Sequence, residues 1–249
     1  MRLNLTILTI SLGLLAGTVS RAQVYSGYRH FDGEHRNEVS GFLTGGFNVV
    51  TGTFISEAAT YTYHFSPRWS ISAGEQVQFL KWVYSADVMG TYRIPIKKKT
   101  NIYIDGRFLF NYYGQWKVSE PIINLSALLE TSYVDLRWGW SFVSYHKSGI
   151  KKEYKSFTDA SYAEPLVMTF GLGVNIRERS NPWNLGLYIR NYDLFYYENW
   201  NINWGIRFHA TLTPLMKLYG EFNVRPAGSL SQLATRYETS LKVGFRYIW

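Results

Sequence analysis

The sequence predicts an all-β fold, a transmembrane antiparallel up-and-down β-barrel of about 12 strands. Three observations predict it. First, the closing stretch RYETSLKVGFRYIW alternates: Tyr237, Thr239, Leu241, Val243, Phe245, Tyr247 and Trp249 share one face of an extended strand, and Arg236, Glu238, Ser240, Lys242, Gly244 and Arg246 share the other. Second, beyond residue 22 no apolar run reaches the length of a membrane-spanning helix, and apolar residues recur at period two rather than at helical spacing. Third, 18% of the residues are aromatic, with 20 Tyr and 9 Trp, although the mean hydropathy is −0.16. So many rings in so polar a chain fit a sheet with one greasy face and one wet one.

The elements follow in order. MRLNLTILTISLGLLAGTVSRA carries Arg2, an apolar run from Leu3 to Ala16 and a small-x-small ending at Ser20-Arg21-Ala22. That pattern reads as a signal peptide over 1–22, too short to span a bilayer, leaving a single barrel domain over 23–249. Removal of Arg2 and Arg21 takes the formal net charge from +8 to +6. An exported basic chain excludes nucleic acid as the natural partner and favours anionic lipid, lipopolysaccharide or acidic solutes. The chain has no cysteine, which excludes disulfides, thiolate metal sites and thiol catalysis.

Alternation places strands at 39–50, 54–65, 69–80, 83–94, 101–112, 121–132, 134–146, 166–177, 184–197, 200–212, 216–225 and 237–249, with 25–30 as another possible opening strand. Each is close to the length that a tilted strand needs to cross a membrane. The connectors sort into two alternating classes. Ser66 to Arg68, Pro95 to Thr100, Thr131 to Asp135, Glu178 to Trp183 and Thr213 to Leu215 are compact, whereas 114–121, 147–165 and 226–236 are longer, with brief links near Thr51 to Thr53, Leu80 to Val83 and Glu198-Asn199 as exceptions on the long side. Short turns at one end and long loops at the other is the pattern of a membrane barrel. A soluble sandwich also alternates, but here rings flank the apolar band: Tyr237 lies on one side of Leu241, Val243 and Phe245, and Tyr247 with Trp249 on the other. Aromatics sit well at headgroup level, where one end of the ring is apolar and the other wet.

The C-terminal alternation ending in Tyr247-Ile248-Trp249, together with the signal peptide, resembles the Gram-negative outer-membrane β-barrel superfamily. The resemblance implies an outer-membrane location and an assembly signal at Tyr247 and Trp249 for the barrel-assembly machinery, with Trp standing where Phe is usual. The strand count and Arg-rich inner face are similar to the narrow porins for acidic oligosaccharides. His146-Lys147-Ser148 resembles the His-x-Ser motif of outer-membrane lipid A deacylases.

Assigning the polar face to the lumen places Arg93, Arg107, Arg137, Arg177, Arg190, Arg207, Lys217, Arg225, Arg236, Lys242 and Arg246 inside, against Asp87, Asp105, Glu130, Asp135, Glu221 and Glu238. Surplus guanidinium groups in a narrow pore attract anions, and Arg93, Arg107, Arg137, Arg190, Arg207, Arg225, Lys242 and Arg246 are the candidate solute contacts. Gly139, Gly171, Gly173, Gly186, Gly205 and Gly244 face the same space as Tyr103, Tyr188 and Tyr219, and rings over glycines would narrow it. A passive channel for small or anionic solutes is therefore expected, with a sealed structural or accessory barrel of an envelope complex as the alternative. A third reading, a lipid A or phospholipid hydrolase, would use Ser148 as nucleophile and His146 as base, oriented by Glu153, Asp159 or Glu164. The five histidines show no metal-ligand spacing and Gly171-Leu172-Gly173 lacks the helix of a phosphate loop, so neither metal nor cofactor is expected. The basic stretch Lys147 to Lys155 is a candidate contact for lipopolysaccharide phosphates.

Overall fold

A computed structural model of the chain describes residues 35–48, 52–79, 83–97, 99–114, 117–144, 146–147, 166–191, 203–225 and 238–249. The expected signal peptide, the alternative opening strand at 25–30 and most of the long loops lie outside these residues. The described chain is all strand and turn. Twelve strands run β1 (Asn37–Asn48), β2 (Gly52–His64), β3 (Trp69–Gln78), β4 (Val83–Lys97), β5 (Thr100–Tyr113), β6 (Val118–Glu130), β7 (Val134–Val143), β8 (Leu166–Asn175), β9 (Trp183–Arg190), β10 (Asn203–Thr213), β11 (Met216–Arg225) and β12 (Glu238–Ile248). A two-residue extension of β7, His146–Lys147, pairs with Ser119 and Val118 of β6.

Each strand is antiparallel to its neighbours in sequence, and β1 also pairs with β12, so the sheet closes on itself. Closure removes the unpaired edges that an open sheet would expose to lipid. The seam carries the C-terminus: Glu38 pairs with Ile248 and Phe42 with Gly244, and Asn37 and Trp249 exchange both backbone hydrogen bonds, at 3.0 and 2.9 Å. The final tryptophan therefore sits on the closing joint, stacked on Tyr247 with ring centroids 5.7 Å apart.

The turns at the end that holds Asn37 and Trp249 are short because side chains tie them. Ser66 Oγ accepts hydrogen bonds from the backbone N–H groups of Arg68 (3.2 Å) and Trp69 (3.1 Å), and Thr131 Oγ1 accepts from those of Tyr133 (3.3 Å) and Val134 (2.9 Å). Short polar side chains of this kind stabilise turns by standing in for backbone acceptors. A shift of register between Pro95 and Lys97 lets the proline, which has no N–H to donate, sit beside the β4–β5 turn. Lys99 in that turn is ion-paired with Glu178 of the β8–β9 turn, and this holds the Glu178 carboxyl below its usual pKa.

The expected strands are present with shifted ends. β1 spans 37–48 rather than 39–50, and β6 starts at Val118 rather than at 121, which shrinks the expected 114–121 loop to 114–117. Alternation of burial follows the sequence pattern closely. On β5 Asn101, Tyr103, Asp105, Arg107, Leu109, Asn111 and Tyr113 are buried inward, while Ile104, Phe108 and Tyr112 are exposed on the outer face. On β12 the outer residues Leu241, Val243, Phe245 and Tyr247 are exposed and Glu238, Ser240 and Arg246 are buried.

Candidate functional site: the lumen

The interior of the barrel is the only place where the described strands bring polar groups together in depth, and it is built in three levels. Near the end of the long loops, Glu120 is buried and accepts hydrogen bonds from Asn111 Nδ2 at 2.5 Å and from the Tyr113 hydroxyl at 2.7 Å. At mid-height, Arg107 Nε lies 2.7 Å from Asp87 Oδ2, and Arg137 Nη1 lies 2.8 Å from Asp105 Oδ2 and donates to Ser126 Oγ at 2.7 Å. Arg190 Nη2 meets Glu221 Oε2 at 2.9 Å, and its guanidinium carbon lies 4.2 Å from the centroid of the Tyr188 ring.

At the level of the short turns, Asp135 is the junction. Its Oδ2 accepts from Arg207 Nη2 at 2.6 Å, its Oδ1 accepts from Arg179, and it is fully buried. Arg179 also reaches Glu130 at 3.4 Å, and Arg207 also donates to Asn175 Oδ1 at 2.8 Å. Across the floor Glu38 is ion-paired with Arg246 and lies 3.6 Å from His64 Nε2. Charges held this way are costly to take from water and are stabilised only by close opposite charges and further hydrogen bonds.

Glycines set the width. A side chain at Gly205 would meet the carbonyl of Phe222 at 2.1 Å and the Tyr188 hydroxyl at 2.8 Å, and one at Gly244 would meet the Phe42 ring at 2.3 Å. Gly173 and Gly186 make the same allowance for the Arg207 guanidinium, at 2.9 and 3.1 Å. The expected packing of rings over glycines is present, with Tyr188 over Gly205. The ring over Gly244 is Phe42.

Of the candidate solute contacts, Arg107, Arg137, Arg190, Arg207 and Arg246 lie inside and ion-paired. Arg93, also inward, donates to Asn101 Oδ1 at 2.9 Å. Lys242 projects inward with its Nζ 4.8 Å from the centroid of the Phe42 ring. Arg225 ends β11, and its side chain, like the whole of Arg236, lies outside the described residues. Arg177 is a correction: it is exposed in the β8–β9 turn, 3.5 Å over the Trp183 ring, because the strand stops at Asn175 and the alternation that placed it inside no longer applies.

Three inward charges were not in the sequence-derived set. Glu38 was left out because β1 was started after it, Glu120 because it fell in an expected loop, and Arg179 because it reaches in from a turn. Among the described side chains, with Arg177 outside and Glu38, Glu120 and Arg179 added, nine inward cations (Arg93, Arg107, Arg137, Arg179, Arg190, Arg207, Lys217, Lys242 and Arg246) face eight carboxylates (Glu38, Asp87, Asp105, Glu120, Glu130, Asp135, Glu221 and Glu238). What remains is a division of the wall. Five cations, Arg190, Arg207, Lys217, Lys242 and Arg246, stand on β9 to β12 with two carboxylates, Glu221 and Glu238, whereas five carboxylates, Asp87, Asp105, Glu120, Glu130 and Asp135, stand on β4 to β7 with three cations, Arg93, Arg107 and Arg137.

A closed, all-antiparallel, 12-stranded barrel with an apolar outer face and a charged interior is a membrane β-barrel, and its fold is that of the outer-membrane β-barrels. The chain resembles the KdgM porin solved in complex with disordered oligogalacturonate at a TM-score of 0.54 and 10% identity, covering 84% of this chain and 99% of that one. It resembles the translocator domain of autotransporter NalP from Neisseria meningitidis at 0.55 and 10%, over 99% and 96%. It also resembles an active-site mutant of outer membrane phospholipase A from Escherichia coli at 0.51 and 10%, over 89% and 95%. No protein-family model and no curated protein sequence matches the chain. These likenesses, spread over a porin, a translocator and a lipase, define the fold and not the task.

Proposed function

We propose that this protein is a passive channel of the outer membrane, with a narrow polar lumen that conducts small solutes and prefers anions. The carrying observation is the uneven division of the lumen wall, in which five cations against two carboxylates stand on the consecutive strands β9 to β12 and three cations against five carboxylates on β4 to β7. A solute passing between the walls meets its opposite charge on one side, and guanidinium groups hold carboxylates or phosphates in paired geometry. The shared fold with a porin captured with an acidic oligosaccharide supports the reading. The apolar outer face meets lipid, and Tyr247 with Trp249 is the signal that the barrel-assembly machinery takes. His146 and Ser148 carry no part of this reading, because the side chains at that point lie outside the described residues.

Planar-bilayer recording of the purified barrel is the test. Stepwise conductance with anion preference, lowered when Arg107 and Arg207 are each replaced by Gln, is the expected result. Silence across voltages and salts would instead favour a sealed structural or accessory barrel. That second reading has its own observation, since Tyr188 over Gly205, Phe42 over Gly244 and the Asp135 junction narrow the lumen.

A further inference from the structure

The outer face of the barrel is apolar on every described strand except at one place. Outward positions on β1 and β4 to β12 hold no charged side chain among the described residues, whereas β2 and β3 each turn one carboxylate outward, Glu57 and Glu75. The assignment of face is firm. Ser56 and Ala58 on β2 and Gln76 on β3 are buried inward, so Glu57 and Glu75 belong with the exposed residues Ile55, Tyr61 and Ile71. In register, Glu57 lies opposite Val77 and Glu75 opposite Ala59, which makes the two acids diagonal neighbours on one face.

On the outer face they have apolar neighbours towards both ends of the barrel. Ile55 and Phe79 lie above them on the same face, and Tyr61, Ile71 and Trp69 below, all substantially exposed. An ionisable group within an apolar band is costly, and its usual explanation is a partner. No basic side chain supplies one among the described outward positions: Glu57 Oε1 is shielded from solvent and has no hydrogen-bond partner among the described residues, and the outward residue diagonal to Glu75 is Tyr84. The surroundings of Glu75 are small. Its cross-strand neighbours are Ala59 and Ala86, and on its own strand the next outward residues are Ala73 and Val77. The same face carries Trp138, Trp140, Leu187 and Trp204 exposed on other strands. Small residues in a membrane let another backbone approach closely.

We propose that this patch on β2 to β4 is the docking surface for a different membrane-embedded protein, which inserts a Lys or Arg side chain between Glu57 and Glu75. Charge complementarity selects that occupant. A second copy of this chain brings carboxylates to carboxylates, and its described outward positions offer no base to neutralise them. A partner with a cation in its own apolar segment faces the same cost, and the contact relieves both. The inference is independent of whether the lumen conducts.

The test uses the whole barrel in phosphatidylcholine vesicles, with energy transfer from its tryptophans to a labelled transmembrane peptide. One peptide is a leucine span with a single lysine placed at the depth of the acids, and the control is the same span without lysine. The lysine peptide is expected to associate about tenfold more tightly than the control, and the advantage is expected to vanish in the Glu57→Gln, Glu75→Gln double variant. Folding of the variant is checked by its unboiled mobility on a detergent gel, and removal of two lipid-facing charges should leave it intact. Equal association of the two peptides, or a lysine advantage that survives in the double variant, overturns the proposal. So does efficient disulfide cross-linking between two copies each carrying Ala73→Cys, which would assign the face to self-association.

Discussion

Replacing Asp135 by Asn tests whether the lumen is held by its charges or merely lined with them. The carboxylate is fully buried and is shared by Arg207, at 2.6 Å, and Arg179. Removing one partner of a buried ion pair typically costs about 3–5 kcal/mol, because the remaining charge stays buried without compensation. Here the two arginines retain secondary acceptors, Asn175 Oδ1 at 2.8 Å for Arg207 and Glu130 at 3.4 Å for Arg179, so the loss should fall at the low end, about 3 kcal/mol. Equilibrium urea unfolding in lipid vesicles, followed by tryptophan fluorescence, reads this directly. Conductance supplies a second readout, since the neutral Asn leaves the Arg207 charge less screened and should raise anion preference. A stability change below about 0.5 kcal/mol, the range of an ordinary surface substitution, would refute the view that Asp135 is the junction of the floor.

Gly205→Ala should destabilise by about 1–3 kcal/mol, since the new methyl group meets a backbone carbonyl at 2.1 Å and the Tyr188 ring behind it; Gly90→Ala, which faces open space on the outer wall, should be near neutral in the same urea assay. Deleting Trp249 should lower the yield of assembled barrel in cells while the purified chain still refolds into detergent; equal losses in both would make its role closure of the seam with Asn37 rather than recognition.

Most of the fold was legible because alternation is a local signal. Once Leu241, Val243 and Phe245 are seen to oppose Ser240, Lys242 and Gly244, the strand and its two faces follow without knowledge of any neighbour. The same rule failed where a strand ended unannounced. Arg177 is in phase with Gly171 and Gly173, yet β8 stops at Asn175, where the backbone turns and Asn184 captures both backbone polar groups of Arg177, at 3.1 and 2.8 Å. Glu120 was hidden for the opposite reason, because Pro121 looked like the edge of a loop, whereas the strand runs back past it to Val118. The two outward acids were visible as breaks in the pattern. FISEAATYTY reads as a strand with Glu57 on its apolar face, and only the register that sets it diagonal to Glu75 makes the break a feature of the surface.

The candidate site was legible in its members and not in its balance, and the reason is physical. Alternation reports which face a side chain occupies, but the potential inside a barrel depends on which charges lie within a few ångströms across strands far apart in sequence. Arg207 and Asp135 are 72 residues apart, and Arg246 and Glu38 are 208 apart. A count of eleven cations against six anions therefore overstates the field that a solute meets, because most of the guanidinium groups already face a carboxylate. Selectivity then depends less on net charge than on how that charge is distributed around the wall. In a conducting lumen, the excess of cations on β9 to β12 over those on β4 to β7 would draw an anion to one side of the wall, even where the described charges nearly cancel.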